Sequence, residues 1–400
     1  MRPLIIQNEN DLISELKRTG CDPKAFPIFR EKVKIIPIKV DSLSCANVNI
    51  LKQTALALGA DCVIHREVIS GKRKTSSGII LATPRQYQSI IQKLSYQHPS
   101  LRRLAEEIKE ILGRLERKDF VLRFSQRVYH LKERVHIMGI LNITPDSFYD
   151  GGRYYKPELA IRRAEEMAEE GADFIDIGAE STRPGAKPLT AKEEIARLKP
   201  ILPQIRKRLE IPISCDTYKS EVADFALKEG CEIINDISAF RFDKKMANLL
   251  AKSNAYCILM HIKGRPRTMQ KKPSYKDLMS EIYYYLKERI ELARREGIEE
   301  ERIIVDPGIG FGKRLEDNYE IIRRLGELKG LGRPILLGPS RKSFIGLTLN
   351  LPPEERLEGS LSASVFATIQ GVHILRVHDV LATKRAVMMA ESIQKGKGNA

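Results

Sequence analysis

From residue 136 onward, a short apolar run followed by an amphipathic helical pattern recurs eight times. The apolar runs are rich in β-branched residues, which predicts buried strands. They lie at 136–143, 173–179, 212–216, 233–237, 256–261, 303–307, 334–338 and 374–377. The helical patterns lie near 158–169, 193–208, 220–228, 244–252, 276–295, 317–325, 359–370 and 380–394. Eight such units favour an α/β protein with a (β/α)₈ TIM barrel. An open doubly wound sheet is the alternative, and the lack of a G-x-G-x-x-G segment counts against it.

The chain before this repeat has a different character. Residues 1–118 mix helical and strand-like segments and predict a small α/β domain. Residues 120–132 alternate between polar and apolar, which predicts a hairpin that plugs the bottom of the barrel. We therefore expect an N-terminal domain over 1–118, a barrel with its hairpin over 119–394, and a disordered tail over 395–400.

Charge and composition limit the possible partners. The net charge is +16, and residues 1–118 carry 21 basic and 12 acidic residues, a balance of +9. Basic proteins attract phosphates and nucleic acid, but no nucleic-acid recognition motif is present, so nucleic acid is not an expected partner. No run of 18 apolar residues occurs, which predicts no membrane span. The six cysteines form no C-x-x-C pair, and we expect reduced, buried thiols in a cytoplasmic protein.

Polar residues stand where the predicted strands end. They are Asn142; Asp176, Glu180, Ser181, Thr182 and Arg183; Asp216; Asn235 and Asp236; His261; Asp306; Ser340, Arg341 and Lys342; and Arg376 and His378. A single such residue is usually a helix cap or a turn former. Capping does not explain all eight strands, and a barrel collects the carboxyl ends of its strands on one catalytic face. The pattern therefore predicts an active site at that face.

Seven segments resemble the dihydropteroate synthase family and occur in family order. They are MGILNITPDSFYDGG (138–152), FIDIGAESTRPGA (174–186), ISCDT (213–217), IINDIS (233–238), IIVDPGIGFGK (303–313), GPSRKSFIG (338–346) and ILRVHD (374–379). Pro339 departs from the residue that family members more often carry before SRKS. Residues 1–118 have no counterpart in the minimal family enzyme.

The resemblance implies a transferase of folate biosynthesis. It would join 6-hydroxymethyl-7,8-dihydropterin diphosphate to p-aminobenzoate, giving 7,8-dihydropteroate and diphosphate. A buried carboxylate can accept two N–H bonds from the pterin edge, and we assign Asp306 to that role. Asp216, Asn235 and Asp176 are assigned to the rest of the ring, and Lys342 to the ring carbonyl or N5. The positions that match the family's p-aminobenzoate pocket are Thr182, Pro184, Phe311 and Ser343.

The leaving diphosphate requires positive charge. Arg376 and His378 alternate on the last strand and should point to one face, beside the place where barrels often bind phosphate. Arg183 lies in the S-T-R-P-G loop, which is expected to close over the site. Asn142 is the expected Mg²⁺ ligand, because Mg²⁺ prefers oxygen. Catalytic roles are thus expected of Lys342, Arg376, His378 and Arg183, with Asn142, Arg183, Arg376 and His378 at the diphosphate. The family precedent is a homodimer formed through barrel helices.

Three alternatives remain open from the sequence. A pterin-binding methyltransferase barrel would share the pterin carboxylates, but it should lack the S-T-R-P-G, S-R-K-S and R-x-H segments. A nucleic-acid-binding module with a vestigial barrel would fit the +16 charge, and steeply salt-dependent DNA binding would favour it. Individual residues also have structural readings: Asp216 and Asp306 as turn formers, and Phe311 as a core residue.

Overall fold

The computed structural model describes residues 4, 6, 9–117, 119–143, 157–181 and 187–396. The chain divides into two compact units, Met1–Gly113 and Arg114–Ala400. The domain boundary predicted at residue 118 lies close to this division. Among the described helices, none combines the length and apolar character that crossing a bilayer requires.

The first unit is a small antiparallel sheet with helices. Its strands are β1 (Ile36–Ser44), β2 (Asp61–Ile64) and β3 (Thr75–Ala82), in the order β1-β3-β2. Its helices are α1 (Glu9–Arg18), α2 (Phe26–Val33), α3 (Cys45–Leu56), α4 (Pro84–Ser95) and α5 (Pro99–Glu116), the last of which runs into the second unit. Helix α2 was not predicted from the sequence. Strand β2 ends at Ile64, and residues 66–71 turn back towards β3.

The second unit is a parallel barrel, which confirms the predicted fold class. Its strands are β6 (His136–Asn142), β7 (Phe174–Gly178), β8 (Ile213–Asp216), β9 (Ile233–Asp236), β10 (Tyr256–Met260), β11 (Ile303–Asp306), β12 (Leu336–Leu337) and β13 (Ile374–Val377), and a hairpin of β4 (Val121–Arg123) and β5 (Val128–His130) precedes them. The barrel strands pair in the order β11-β10-β9-β8-β7-β6-β13-β12. A parallel bridge between Val305 and Ile335 joins the two outer strands and closes the sheet. This bridge excludes the open doubly wound sheet.

Helices surround the barrel. They are α6 (Pro157–Glu169), α7 (Ala191–Leu198), α8 (Leu202–Arg208), α9 (Ser220–Lys228), α10 (Lys245–Ala251), α11 (Leu278–Arg295), α12 (Leu315–Arg323), α13 (Ser343–Leu349), α14 (Leu357–Gln370) and α15 (Val380–Lys395). The single helix predicted at 193–208 is two helices, because Pro200 and Pro203 cannot supply the N–H groups that a continuous helix needs. Helix α13 was not predicted.

The barrel strands bury both of their faces. Residues such as Ile175, Ile177 and Leu375 pack outward against the helices. Alternate residues such as Phe174, Ile233 and Ile374 pack inward, in a separate cluster with the hairpin. Burial on both faces explains why the strands read as continuous apolar runs.

The hairpin of β4 and β5 closes the amino-terminal end of the barrel, as predicted. Leu122 and Tyr129 are buried against inward residues at the start of the barrel strands. The Tyr129 hydroxyl donates to the Asp173 carbonyl at 3.0 Å, and the Arg123 N–H donates to the Tyr256 hydroxyl at 2.7 Å. The hairpin is therefore part of the barrel core.

Replacing Leu122 with Ala should lower the free energy of unfolding of the barrel by about 2–5 kcal/mol, since Leu122 is 1% exposed and would leave a cavity. The matched control is Arg123→Ala, an exposed side chain on the same strand whose backbone N–H bond to Tyr256 would survive. Chemical denaturation followed by circular dichroism measures both. Equal losses in the two variants would show that the hairpin is not part of the core.

Candidate active site

The site residues follow from the alternation of the barrel strands. On four of the barrel strands, the side chain two positions beyond an inward apolar residue is polar. Phe174 is followed by Asp176, Ile233 by Asn235, Ile304 by Asp306 and Ile374 by Arg376. The hairpin end of the barrel is therefore apolar, and its carboxyl end holds ionisable groups.

Arg376 joins two carboxylates from neighbouring strands. Its Nε donates to Asp176 Oδ2 at 2.5 Å, and its Nη2 donates to Asp216 Oδ2 at 2.7 Å. Burial opposes the charge on Arg376, but the two carboxylates outweigh it and raise the arginine's pKa. Burial raises the pKa of Asp216, and the charge of Arg376 offsets this only in part. The sequence assigned Arg376 to the diphosphate; in the structure its half-buried side chain is the counter-ion of the carboxylates assigned to the pterin.

Two buried oxygens in this cluster lack hydrogen-bond partners among the described residues: Asp176 Oδ1 and Asn235 Oδ1. The amide of Asn235 donates to the other Asp176 oxygen at 3.2 Å, which orients both groups. Buried acceptors without donors are costly in an empty site. The site is thus arranged to receive a ligand that carries N–H groups.

Asp306 ends β11 and is buried. Its Oδ1 accepts the N–H of Gly308 at 2.7 Å. Burial raises the pKa of Asp306, while the positive charge of Lys342 acts in the opposite direction. Gly308 has a φ of +70°, and a Cβ there would lie 2.0 Å from the carbonyl oxygen of His261, so the turn that follows Asp306 requires glycine. The turn holds one oxygen of Asp306 and leaves the second for a ligand.

Lys342 reaches the site from the turn before α13. Its Nζ donates to the Ile309 carbonyl at 2.5 Å and lies 4.8 Å from the centre of the Phe311 ring. Burial lowers the pKa of Lys342 to about 8, although Asp306 acts to raise it. The ammonium group therefore titrates within reach of neutral pH.

Arg341, a predicted strand-end residue to which no role was assigned, positions Lys342. It has a φ of 54°, a left-handed conformation that is rare outside glycine. Its guanidinium makes two bonds to Asp379, at 2.8 and 2.7 Å, and its N–H donates to Ser360 Oγ at 2.8 Å. These contacts hold the strained turn in place.

His378 follows the last strand and contacts Ser340. The Ser340 hydroxyl lies 3.0 Å from His378 Nδ1 and accepts the His378 N–H at 3.2 Å. The sequence placed Ser340 among the polar strand-end residues but assigned it no role in binding or catalysis. It ties the segment after β12 to the segment after β13, the two places expected to bind phosphate.

The structure describes only some of the remaining predicted site residues. Asn142 ends β6, Phe311 is half-buried and Ser343 is exposed at the start of α13. Thr182, Arg183 and Pro184 lie outside the described residues.

Side-chain oxygens of Asn142 and Asp216 both lie near Gly178. A Cβ added at Gly178 would lie 3.7 Å from Asp216 Oδ2 and 3.8 Å from Asn142 Oδ1. These hard oxygen donors fit Mg²⁺. Among the residues that the structure describes, no three His, Cys, Asp or Glu side chains are grouped to hold a metal ion. A magnesium ion at Asn142 would thus need most of its ligands from substrate and water.

Sequence reasoning missed two polar networks at this end of the barrel. Lys219 pairs with Glu180 and with Glu194, and Glu180 also accepts bonds from the Tyr218 hydroxyl and the Leu189 N–H. These contacts join the two segments of the chain that flank residues 182–186.

The second network is centred on Lys313. This buried lysine lies 2.8 Å from His261 Nδ1 and donates to the Phe311 carbonyl at 3.2 Å. Burial lowers its pKa well below the usual value. Lys313 follows Gly310, Phe311 and Gly312 in the chain, and this pattern does not predict that its side chain will be buried.

The second unit matches known proteins along most of its length. The family of pterin binding enzymes matches residues 138–378. A dihydropteroate synthase of Clostridium beijerinckii is 47% identical over 273 residues, which span 68% of this chain and 99% of the relative. A structure of Xanthomonas albilineans dihydropteroate synthase with 4-aminobenzoic acid is 40% identical, with a TM-score of 0.65, over 69% of this chain and 98% of that one.

A third relative extends beyond the barrel. A probable bifunctional folylpolyglutamate synthase/dihydropteroate synthase of Halobacterium salinarum is 37% identical over 353 residues, covering 86% of this chain and 41% of its own length. The second unit has 287 residues (400 − 113), so this match continues into the first unit. On these matches and on the site geometry, the chain belongs to the pterin-binding enzyme family and, within it, to the dihydropteroate synthases.

Proposed function

We propose that this dihydropteroate synthase holds the pterin ring of its substrate in the buried acceptor cluster at the carboxyl end of the barrel. The observation that supports this most directly is a pair of buried oxygens, Asp176 Oδ1 and Asn235 Oδ1, which have no hydrogen-bond partner among the residues that the structure describes and which lie at the same end of the barrel as the carboxylates of Asp216 and Asp306. A pterin presents an amidine-like N–H edge and further ring nitrogens, which complement acceptors of this kind. Each charge-assisted bond contributes about 1.5–3 kcal/mol.

Within this arrangement, Asp306 takes the N–H edge, and Asp216 with Asn235 takes the other ring nitrogens. Lys342 donates to the ring carbonyl or N5. Its present acceptor is the carbonyl of Ile309, so the ammonium exchanges one oxygen for another when the pterin enters. Arg376 keeps the surrounding carboxylates charged and aligned.

Diphosphate departure uses the cations next to the ring. Neither carboxylate partner of Arg376 uses its Nη1, and we assign that group and His378 to the diphosphate. Asn142 would hold Mg²⁺ together with substrate phosphate oxygens, and a bound Mg²⁺ would draw negative charge from the leaving group. Calorimetry of diphosphate binding with and without Mg²⁺, in wild type and Asn142→Ala, tests this assignment: equal magnesium dependence in both would remove Asn142.

The reaction needs no strong general base. The C–O bond between the pterin methylene and the diphosphate breaks, and the diphosphate leaves with the electron pair. The neutral amine of p-aminobenzoate forms the new C–N bond and then loses one proton to solvent. We assign Phe311 and Ser343, which lie beside Lys342, to the p-aminobenzoate side of the site. Thr182 and Pro184 are assigned to the same side, and Arg183 to the loop that closes over the site.

A direct assay tests the function. Purified protein with the pterin diphosphate, p-aminobenzoate and Mg²⁺ should form dihydropteroate and release one diphosphate per turnover. Diphosphate release that does not require p-aminobenzoate, with no dihydropteroate formed, would refute the proposal.

We also propose a homodimer formed through helices α13, α14 and α15, which pack side by side. Large apolar side chains are exposed on all three: Leu347, Leu349, Phe366, Ile369, Leu381, Met388, Met389 and Ile393. An exposed patch of this kind usually marks an interface. The six free thiols support a cytoplasmic location, which cell fractionation would test; four of them are buried as expected, whereas Cys21 and Cys45 are half-buried.

Light scattering tests the dimer. Phe366→Glu should convert it to a monomer, because a carboxylate would be buried in an apolar interface. Ile69→Glu, an exposed apolar position in the first unit, is the matched control and should leave the mass unchanged. An unaltered dimer in the Phe366 variant would place the interface elsewhere.

Activity should fall as pH rises through about 8, the pKa of Lys342, since its ammonium group loses the proton that it donates to the pterin. The measurement is kcat/KM for the pterin diphosphate against pH. In Lys342→Arg the guanidinium stays charged, so this alkaline limb should disappear whatever activity remains. The same limb in both proteins would assign it to another group.

A shortened chain beginning at Arg114 should fold and keep most of its turnover, because every assigned side chain lies in the second unit. We accordingly propose that the first unit has no catalytic role. Steady-state kinetics and thermal unfolding of the shortened chain are the measurements. A folded barrel with turnover reduced by orders of magnitude would show that the first unit contributes to catalysis.

A further inference from the structure

A cavity of about 570 Å³ lies at the amino-terminal end of the barrel, the end opposite the active site. It is bordered by the residues that precede three neighbouring strands: Val135 before β6, Arg333 before β12 and His373 before β13. The flanks of the hairpin and the end of α15 complete it. All of its lining belongs to the second unit.

The lining is strongly basic. It carries four arginines and three lysines against one carboxylate, that of Glu391. Burial raises the pKa of Glu391, and its Oε1 accepts the N–H of Val135 at 2.7 Å. Three of the cations pair with carboxylates outside the lining: Lys132 with Asp119, Arg134 with Asp173, and Arg333 with Glu300. Positive charge exceeds negative charge around the cavity even when these pairs are included.

Arg333 is the most constrained of these cations. It is 6% exposed, and its Nε has no hydrogen-bond acceptor among the described residues. Its Nη1 donates to the Glu300 carbonyl at 2.7 Å. Burial lowers its pKa to about 10, and the charges of Arg117 and Arg114 add to this effect. Arginines that repel one another around an open cavity would be stabilised by an anion.

Other lining groups keep their charge or offer further donors. Arg117 lies 4.4 Å from the centre of the Phe120 ring and donates to a carbonyl, and Lys395 also donates to a carbonyl, that of Glu133, at 3.0 Å. A carbonyl acceptor does not neutralise a cation. His373 Nδ1 accepts the N–H of Ile335 at 3.0 Å, so its ring proton is on Nε2, which can donate.

Helix ends explain part of this charge. The barrel helices run against the strands, so α14 and α15 end here, and their carboxyl ends favour nearby cations. A Cβ at Gly371, just after α14, would lie 2.2 Å from Lys329 Nζ, which places that lysine at the helix end. Arg117 directly follows α5, and Arg333 follows a short 3₁₀ helix over Leu325–Leu331, so both also lie near helix carboxyl ends.

We propose that this basic cavity is a second ligand site, which binds a phosphorylated small molecule of about nucleotide size. Its phosphates would lie among Arg117, Arg333 and Lys395, since arginine clusters favour phosphate oxygens. The volume exceeds what a bare phosphate needs and lies in the range of small-molecule pockets. The apolar lining of Phe120, Leu131 and Val372 suits a ring.

The test uses the full-length protein with ¹³C-labelled histidine, ADP as the probe and adenosine as its uncharged counterpart. His373 reports on the cavity and His378 on the active site; His373→Gln and His378→Gln assign the two signals. ADP should shift the His373 resonance, with or without an effect on His378, and adenosine should not. The His373 shift should persist in Arg376→Ala, where the opposite end of the barrel is altered.

Matched double variants separate a built site from general electrostatics. Arg117→Ala with Lys395→Ala should weaken ADP binding at the cavity about tenfold or more, about 1.4 kcal/mol per factor of ten. Arg123→Ala with Arg385→Ala removes the same charge from exposed positions outside the cavity and should have little effect. The proposal fails if ADP shifts His378 alone, if millimolar ADP leaves His373 unchanged, or if the two double variants weaken binding equally.

Discussion

The active site depends on one ion-pair cluster, in which Arg376 bridges Asp176 and Asp216 inside the barrel. Asp176 and Asp306 are buried at one end of the barrel, the Asp216 side chain there is 13% exposed, and a buried carboxylate without a counter-charge is very costly. Arg376 from β13 and Lys342 from the turn before α13 supply that charge. Because Asp176 and Asp216 hold Arg376, the groups that we propose to bind the pterin ring are oriented before substrate arrives, which reduces the cost of ordering them during binding.

The barrel makes this cluster possible by separating its two ends. Inward residues at the start of the strands pack on the hairpin, and the next inward residues form the site. Two turns complete it: the one after Asp306, where Gly308 permits close approach to His261, and the left-handed turn at Arg341. Both turns place functional groups through backbone conformations that are unfavourable for most residues, and the surrounding hydrogen bonds stabilise them.

Much of the fold and part of the site were predictable from the sequence. Strand spacing predicted the barrel, and polar strand ends predicted Asp216, Asn235, Asp306 and Arg376, because carboxyl ends of parallel strands meet at one face. The pairing of Arg376 with Asp176 and Asp216 was not predictable, since it depends on which inward side chains reach each other across the barrel. Ser340 and Arg341 were among the predicted strand-end residues, but their contacts with His378 and Asp379, and the buried position of Lys313, were not predicted, because a linear pattern does not reveal which groups hold a turn. Pro200 and Pro203 indicated a break between α7 and α8, but the amphipathic periodicity of residues 193–208 favoured a single helix.

Binding of 6-hydroxymethylpterin, which has no diphosphate, separates the two roles of Arg376. Calorimetry would compare wild type with Arg376→Gln and Arg376→Lys. If the arginine organises the ring-binding carboxylates, the glutamine variant should bind this pterin at least about tenfold more weakly, about 1.4 kcal/mol. The reason is that Asp216 would take up a proton without its counter-ion and lose acceptor strength. The lysine variant should lose less pterin affinity, because lysine keeps the positive charge but cannot bond both carboxylates as the planar guanidinium does. Unchanged pterin affinity in the glutamine variant would mean that Arg376 serves the diphosphate alone and that the ion-pair cluster does not build the site.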